Sequence, residues 1–137
     1  MMKQLNLLLL LLLLSSCASM RYGNLTDLAP NKDVYLAQDS VSQLSRVYPP
    51  AQNTFYIHQR INDGFGIQLI REMRKKGYGI IENVQVRQKA NFFYVVDMLA
   101  AKPLYRVSLY IGSQTLSRVY VQTKGKLEPI SPWSRKE

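Results

Sequence analysis

Residues 105–122 read YRVSLYIGSQTLSRVYVQ, and this stretch carries the clearest secondary-structure signal in the chain. Apolar and polar residues alternate along its first half, which places one set of side chains on the core face of a strand: Tyr105, Val107, Leu109 and Ile111. A second β-rich run, residues 116–122, follows a short segment of turn-forming residues. The stretch therefore predicts a β-hairpin.

Two registers fit this hairpin. A two-residue turn at residues 112–113 has the chemistry of a type II′ turn, but it places Arg118 opposite Val107. A three-residue loop, residues 112–114, pairs Val107 with Val119 instead. Because the two-residue turn sets an unpaired charge against the core face, the sequence favours the three-residue loop.

The segments around the hairpin predict two helices and further strands. Apolar residues spaced by three and four indicate one helix over residues 33–48, which ends before two prolines. A second helix follows a capping residue, Asn62 or Asp63, and ends at Gly77. Further strands are predicted over residues 54–58, 78–84 and 92–99. The order indicates an α+β domain over residues 33–122, with two helices packed on a mainly antiparallel sheet of about four to five strands.

The composition argues against an enzyme. The 137 residues contain one Cys and one His, which excludes an internal disulfide and a cysteine-cluster metal site and leaves little for zinc or a catalytic dyad. We interpret His58, in the predicted strand 54–58, as an incidental residue rather than a ligand. The acidic side chains are scattered along the chain. We therefore predict no catalytic residues, no metal and no small-molecule substrate.

The first 16 residues are typical of a bacterial export signal. A positive start, Met1-Met2-Lys3, precedes an apolar run from Leu5 to Leu14 that only Asn6 interrupts. A membrane-spanning helix needs about 20 apolar residues, and this run has about half that number. Residues 1–16 are therefore predicted to be a signal peptide rather than a membrane anchor.

The order Leu14-Ser15-Ser16-Cys17 resembles the lipobox of bacterial lipoproteins. The resemblance implies cleavage between Ser16 and Cys17, a diacylglyceryl group on the thiol of Cys17 and an acyl chain such as palmitate on its new amine. Several acyl chains hold a protein stably at a membrane. Ala18, in place of the aspartate linked to inner-membrane retention, favours the outer membrane, with the chain facing the periplasm. The alternative is an ordinary signal peptide followed by an incidental thiol.

Two segments flank the predicted domain. Residues 17–32 begin with the lipidated cysteine and show neither helix nor strand periodicity, so we predict a flexible tether. The tether is either passive or docks into a partner subunit through its apolar side chains, Tyr22, Leu25 and Leu28. Residues 123–137 predict a basic, proline-containing tail. Its Trp133 either contacts a partner or packs onto the chain's own domain.

The charge supports a second hypothesis about function. The chain has 18 Lys+Arg against 9 Asp+Glu, a formal +9, and loss of Lys3 with the signal leaves +8. Such a charge steers a protein to anionic surfaces. The alternative function is therefore a free-standing periplasmic lipoprotein that binds lipopolysaccharide, peptidoglycan or DNA. DNA is the least favoured ligand, because the tyrosines alternate between the two sheet faces instead of lining one basic face.

A set of short motifs follows the lipobox in a specific order: Tyr22-Gly23-Asn24, Tyr48-Pro49-Pro50-Ala51, Asp63-Gly64-Phe65-Gly66, Arg74-Lys75-Lys76-Gly77-Tyr78, Tyr105-Arg106, residues 111–120 and Trp133-Ser134-Arg135-Lys136-Glu137. Together they resemble the TrbH family, the small lipoproteins of the Trb mating-pair-formation apparatus, a conjugative type IV secretion system. The resemblance covers nearly the whole chain.

The resemblance implies a structural subunit that helps to build the secretion channel near the outer membrane. Its implied partners are the other subunits of the secretion core complex, and the family has no catalytic residues to transfer. The covalent lipid at Cys17 is the only non-protein group that we predict. A helix that runs into Gly77-Tyr78 and a strand is also similar to the STN domains of secretins, which is a likeness of fold alone.

Overall fold

The computed structural model describes residues 21–100 and 103–137. Within these residues the chain forms two α-helices, α1 (Pro30–Val47) and α2 (Gly64–Lys76), and eight strands. The strands are β1 (Gly23–Asn24), β2 (Thr54–Tyr56), β3 (Gly79–Ile81), β4 (Phe92–Met98), β5 (Leu104–Ile111), β6 (Gln114–Thr123), β7 (Lys126–Pro129) and β8 (Ser134–Lys136). From α1 to β6, the helices and strands follow the predicted order.

Six of these strands form one sheet in the described part of the chain. Their order is β1-β4-β5-β6-β7, and β8 pairs with another part of β6. Only the β1–β4 pair in this sheet is parallel, and the others are antiparallel. The short strands β2 and β3 form a separate parallel pair. The predicted α+β class with a mainly antiparallel sheet is confirmed.

The second helix has the start and end that its sequence predicts. The carboxylate of Asp63 caps α2 by accepting a hydrogen bond from the backbone nitrogen of Gly66 at 2.8 Å. At the other end, Gly77 adopts a φ of 97°, in the left-handed region that glycine tolerates best. The apolar stripe of this helix, Phe65, Leu69, Ile70 and Met73, is buried.

The two helices pack on one face of the six-stranded sheet. Helix α1 begins at Pro30, ahead of the predicted Asp33, because proline suits the first helical turn, where its missing N–H has no helical partner. Alternate side chains of β4, β5 and β6 point into the same core, among them Phe92, Tyr94, Val107, Leu109, Leu116 and Tyr120. We call the opposite surface of the sheet its outer face.

The hairpin of β5 and β6 has a two-residue turn, and Val107 lies opposite Arg118. The predicted three-residue loop is therefore wrong. The guanidinium of Arg118 faces the core, where its Nη1 donates to both carboxylate oxygens of Asp39 on α1 at 3.0 Å. Its Nε donates to the backbone oxygen of Ser131 at 2.9 Å. The charge of Arg118, which in the sequence argues against this register, is neutralised by the carboxylate of Asp39 on α1.

The flexible tether predicted over residues 17–32 is wrong for the part that the structure describes. Strand β1 pairs with β4, and the backbone nitrogen of Leu25 donates to the oxygen of Val96 at 2.8 Å. Leu28 packs against the core, and the first turn of α1 follows directly. The described chain thus joins the domain at Tyr22, and residues 17–20 lie outside the described residues.

The predicted basic tail, residues 123–137, also belongs to the fold. Strands β7 and β8 both pair with β6, so the tail extends the sheet instead of hanging free. The turn between β6 and β7 uses Lys124 and Gly125, whose φ values are 50° and 74°. Trp133 packs against the core, and its buried indole nitrogen has no hydrogen-bond partner among the described residues.

A network of polar side chains joins the starts of both helices to the sheet. The hydroxyl of Tyr94 donates to Asp63 at 2.5 Å, and the amide nitrogen of Asn24 donates to Asp33 at 3.2 Å. Asp33 is only 6% exposed. Burial, and then the negative charge of Asp63, raises the pKa of Asp33 above its ordinary value of 3.8.

Replacing Asp33 by Asn should change stability in a pH-dependent way. Because the pKa is raised on folding, the folded chain holds this proton to a higher pH than the unfolded chain, and the charged carboxylate costs stability as the pH rises. We expect Asp33→Asn to be at least as stable as the wild type at pH 7, with any advantage shrinking at pH 4. Urea unfolding of both proteins at the two pH values measures this. Asp27→Asn, at an exposed carboxylate, is the control, and a pH-independent loss of stability in Asp33→Asn contradicts the expectation.

Candidate functional site

A groove of about 600 Å³ lies between α2 and the segments that flank it. Its apolar residues are Ile61, Ile67 and Ile70, and its charged residues are Arg71, Arg74, Lys75 and Glu82. Ile67 is 46% exposed although it lies on a helix whose other large apolar side chains are buried. The groove therefore combines an apolar floor with a mostly basic rim.

The charges of the rim are only partly neutralised within the chain. Nη2 of Arg74 lies 2.8 Å from Oε2 of Glu82, and Nζ of Lys75 lies 2.9 Å from Oε1 of Glu72. Arg71 instead donates to the amide oxygen of Gln68 at 3.3 Å and forms no ion pair with a described residue. A ligand that brings one carboxylate near an apolar side chain complements this rim.

The local sequence explains why the groove forms. The cap at Asp63 fixes the start of α2, and Gly77 turns the chain sharply into β3. Strand β3 lies beside β2, and the backbone nitrogen of Ile57 donates to the oxygen of Ile81 at 2.9 Å. This return brings Glu82 back alongside the helix, within reach of Arg74.

A second surface lies on the outer face of the sheet. The ring of Tyr22 stacks on Phe93 with centroids 4.5 Å apart and meets the edge of Tyr110 at 6.1 Å. The guanidinium carbon of Arg87 lies 5.4 Å from the centroid of the Tyr22 ring, and its Nη2 donates to the Tyr22 hydroxyl at 3.1 Å. The aromatic rings and the cation thus hold one another in place.

Further cations lie beside this cluster along the chain or along the sheet. Phe93 pairs with Tyr110, Tyr110 with Thr115 and Thr115 with Lys136, so these four residues form one row across the sheet. Arg21 directly precedes Tyr22, and Lys89 belongs to the same short helical turn as Arg87. We define the outer-face patch as Arg21, Tyr22, Arg87, Lys89, Tyr110 and Lys136.

The residues predicted as partner contacts are separated by the structure. Leu28 and Trp133 pack against the core of the domain, and Leu25 is 42% exposed. Tyr22 is half-buried in the outer-face patch. The predicted lipid and cleavage sites, Cys17 and Ser16, lie outside the described residues.

Sequence reasoning missed the groove, and of the outer-face patch it identified only Tyr22. The groove needs Ile61 and Glu82, which come from segments on either side of α2, and the outer-face patch needs Tyr22 beside β4. One signal for the groove is present in the sequence: Ile67 lies off the apolar stripe of an amphipathic helix. The patch has no comparable local signal.

Within residues 21–100 and 103–137, no three His, Cys, Asp or Glu side chains come together as a possible metal site. No helix in the same residues is both long and apolar enough to cross a membrane. His58 is exposed, and its Nδ1 lies 2.5 Å from the backbone oxygen of Val84.

Comparison with known proteins identifies a family. A family model described as conjugal transfer protein TrbH matches residues 19–137, which include every described residue. No curated protein and no solved structure gives a significant match, so the likeness to STN domains stays a prediction. Because the family model covers most of the chain, the chain belongs to the TrbH family of conjugal transfer proteins.

Proposed function

We propose that this chain is a structural component of a conjugative type IV secretion channel, held at the outer membrane by lipid on Cys17. In this proposal it docks to another channel subunit through the groove beside α2. Membership of the conjugal transfer family supports a role in a conjugative secretion system, and the lipobox-like sequence supports a lipid anchor at Cys17. The observation that carries the docking role is the exposed Ile67 beside a basic rim.

The chemistry of the groove defines the partner. Burying an isoleucine side chain contributes about 1.5–3 kcal/mol, so Ile67 and its neighbours can anchor one apolar side chain of a partner. Arg71 has no carboxylate partner among the described residues and selects for a nearby negative charge. The partner segment is therefore acidic, with at least one large apolar residue facing the groove.

The test of the anchor is Cys17→Ser in donor cells that carry the complete transfer system. We expect a high-salt wash to release the variant but not the wild type from the membrane fraction, and DNA transfer to fall by at least tenfold, because Cys17 carries the only covalent attachment in the proposal. Metabolic labelling with an alkyne fatty acid measures lipid on the wild-type chain directly. Wild-type chains without label, or a variant that remains in the membrane with normal transfer, overturn the anchor.

The test of docking is Ile67→Asp, compared with Ile130→Asp. Both isoleucines are exposed, 46% and 55%, but only Ile67 lines the groove. We expect Ile67→Asp to lose copurification with other transfer subunits and to reduce DNA transfer, while Ile130→Asp retains both. Equal behaviour of the two variants contradicts docking through the groove.

The alternative function is a free-standing envelope lipoprotein that binds an anionic ligand, and the unpaired cations of the outer-face patch favour it. The same experiments separate the two functions. A free-standing lipoprotein requires Cys17 for its location, but it does not copurify with transfer subunits and its loss leaves DNA transfer unchanged.

A further inference from the structure

The outer-face patch lies very close to the proposed lipid anchor. Only residues 18–21 separate Cys17 from Tyr22, the residue that stacks on the sheet. A fully extended chain spans at most about 3.6 Å per residue, so Tyr22 lies within roughly 18 Å of Cys17. A free tether of 15 residues allows roughly 50 Å, and ordering of the chain from Tyr22 onward removes most of that reach.

The composition of the patch suits a phospholipid surface. Two tyrosines present polar hydroxyls beside apolar rings, and such side chains favour the boundary between water and membrane. Arg21, Lys89 and Lys136 are exposed, and Arg21, Arg87, Lys89 and Lys136 belong to no ion pair between described residues. Clusters of such cations attract anionic lipid headgroups.

The shape of the patch also fits contact with a surface. The row from Phe93 to Lys136 crosses four strands, about 14 Å at the spacing of neighbouring strands, and both α-helices pack on the opposite face of the sheet. The rings of Tyr22 and Phe93 stack on each other and lie under Arg87, so they are poorly placed to stack on nucleobases.

We propose that the outer-face patch rests on the anionic phospholipid headgroups of the membrane that holds the anchor. The domain is then oriented with its sheet toward the membrane and its helices toward the periplasm. The groove beside α2 belongs to the helix layer and stays open to a partner in this orientation. This inference rests on the proposed lipid at Cys17.

The test uses the mature chain with Cys17→Ser, so that binding reports the patch and not the anchor. Vesicles of phosphatidylethanolamine and phosphatidylglycerol are compared with phosphatidylcholine vesicles by cosedimentation. We expect binding to the anionic vesicles alone, with affinity falling at least tenfold between 50 and 200 mM salt.

The decisive variant is the triple replacement Arg21→Glu, Lys89→Glu, Lys136→Glu. These side chains form no hydrogen bond within the described chain, so the fold is expected to survive, and vesicle affinity should fall at least tenfold. The matched control is Arg46→Glu, Arg71→Glu, Lys76→Glu, which changes the net charge equally on the helix layer.

Equal losses in the two triple variants indicate attraction by net charge alone and overturn the proposal. Tighter binding to an oligo(dT) strand than to anionic vesicles, lost in the first triple variant only, assigns the patch to DNA and also overturns it. A failure of the lipid-anchor proposal is distinguishable from these outcomes. In that case the wild-type chain carries no fatty-acid label, whereas vesicle binding by the patch is unchanged.

Discussion

Replacing Asp39 by Ala is expected to lower the free energy of unfolding by about 3–5 kcal/mol, because it removes one partner of a largely buried ion pair. The side chains of Arg118 and Asp39 are only 21% and 23% exposed. The carboxylate of Asp39 also accepts a hydrogen bond from the hydroxyl of Tyr120, a side chain that is fully buried. Burial, and then the hydrogen bond to Asp39, raises the pKa of Tyr120, so its hydroxyl stays protonated and remains a hydrogen-bond donor. In Asp39→Ala this buried donor has lost its acceptor, which adds to the cost.

Urea unfolding followed by circular dichroism measures this loss. The matched control is Asp97→Ala, which breaks the pair with Arg106, also joined by two hydrogen bonds but with an arginine that is 43% exposed. Solvent around the half-exposed arginine screens this pair, so we expect the control to cost less than about 1 kcal/mol. Adding Arg118→Met to Asp39→Ala should recover part of the loss, because the buried charge is then gone. Equal costs for Asp39→Ala and Asp97→Ala contradict the role of the buried pair.

This ion pair also explains where sequence reasoning failed in the fold. The alternation of β5 and the local signals of α2 are properties of neighbouring residues, and the structure confirms both. The hairpin register depends instead on Asp39, which lies 79 positions from Arg118 in the sequence. An argument from the hairpin alone treats Arg118 as unpaired and selects the wrong loop.

The start of the domain was missed for a similar reason. Strand β1 has two residues and pairs in parallel with the distant β4, so it has no local periodicity. Its stability comes from Tyr22 against Phe93 and from the bond between Leu25 and Val96. These contacts show that the predicted tether of residues 17–32 does not extend beyond Tyr22.

The candidate surfaces also depend on residues that are distant from one another in the sequence. The basic end of α2 is visible in the sequence and suits the negative end of the helix dipole, so by itself it indicates no partner. The structure adds Ile61 and Glu82 from flanking segments and converts that helix end into a groove. Family membership then supplies the system in which we propose a partner for this groove.

Gly66→Ala is expected to cost about 2–4 kcal/mol, although alanine ordinarily favours a helix over glycine by about 1 kcal/mol. A Cβ at this position lies 1.9 Å from the hydroxyl oxygen of Tyr94 and 2.6 Å from the ring carbon that carries it. The ring is fully buried, so it cannot move aside without disturbing the core. Its displacement also breaks the hydrogen bond to Asp63, the residue that caps α2.

Urea unfolding of Gly66→Ala tests this expectation, with Gln68→Ala as the control. Gln68 lies on the same helix but outside its buried stripe, so its replacement should change the free energy of unfolding by less than about 0.5 kcal/mol. Tyr94→Phe supplies the second arm. It removes the closest atom, so the double variant Gly66→Ala, Tyr94→Phe should lose less than the sum of the two single losses. Strict additivity, or a Gly66→Ala protein as stable as Gln68→Ala, contradicts a close approach of Tyr94 to the helix backbone.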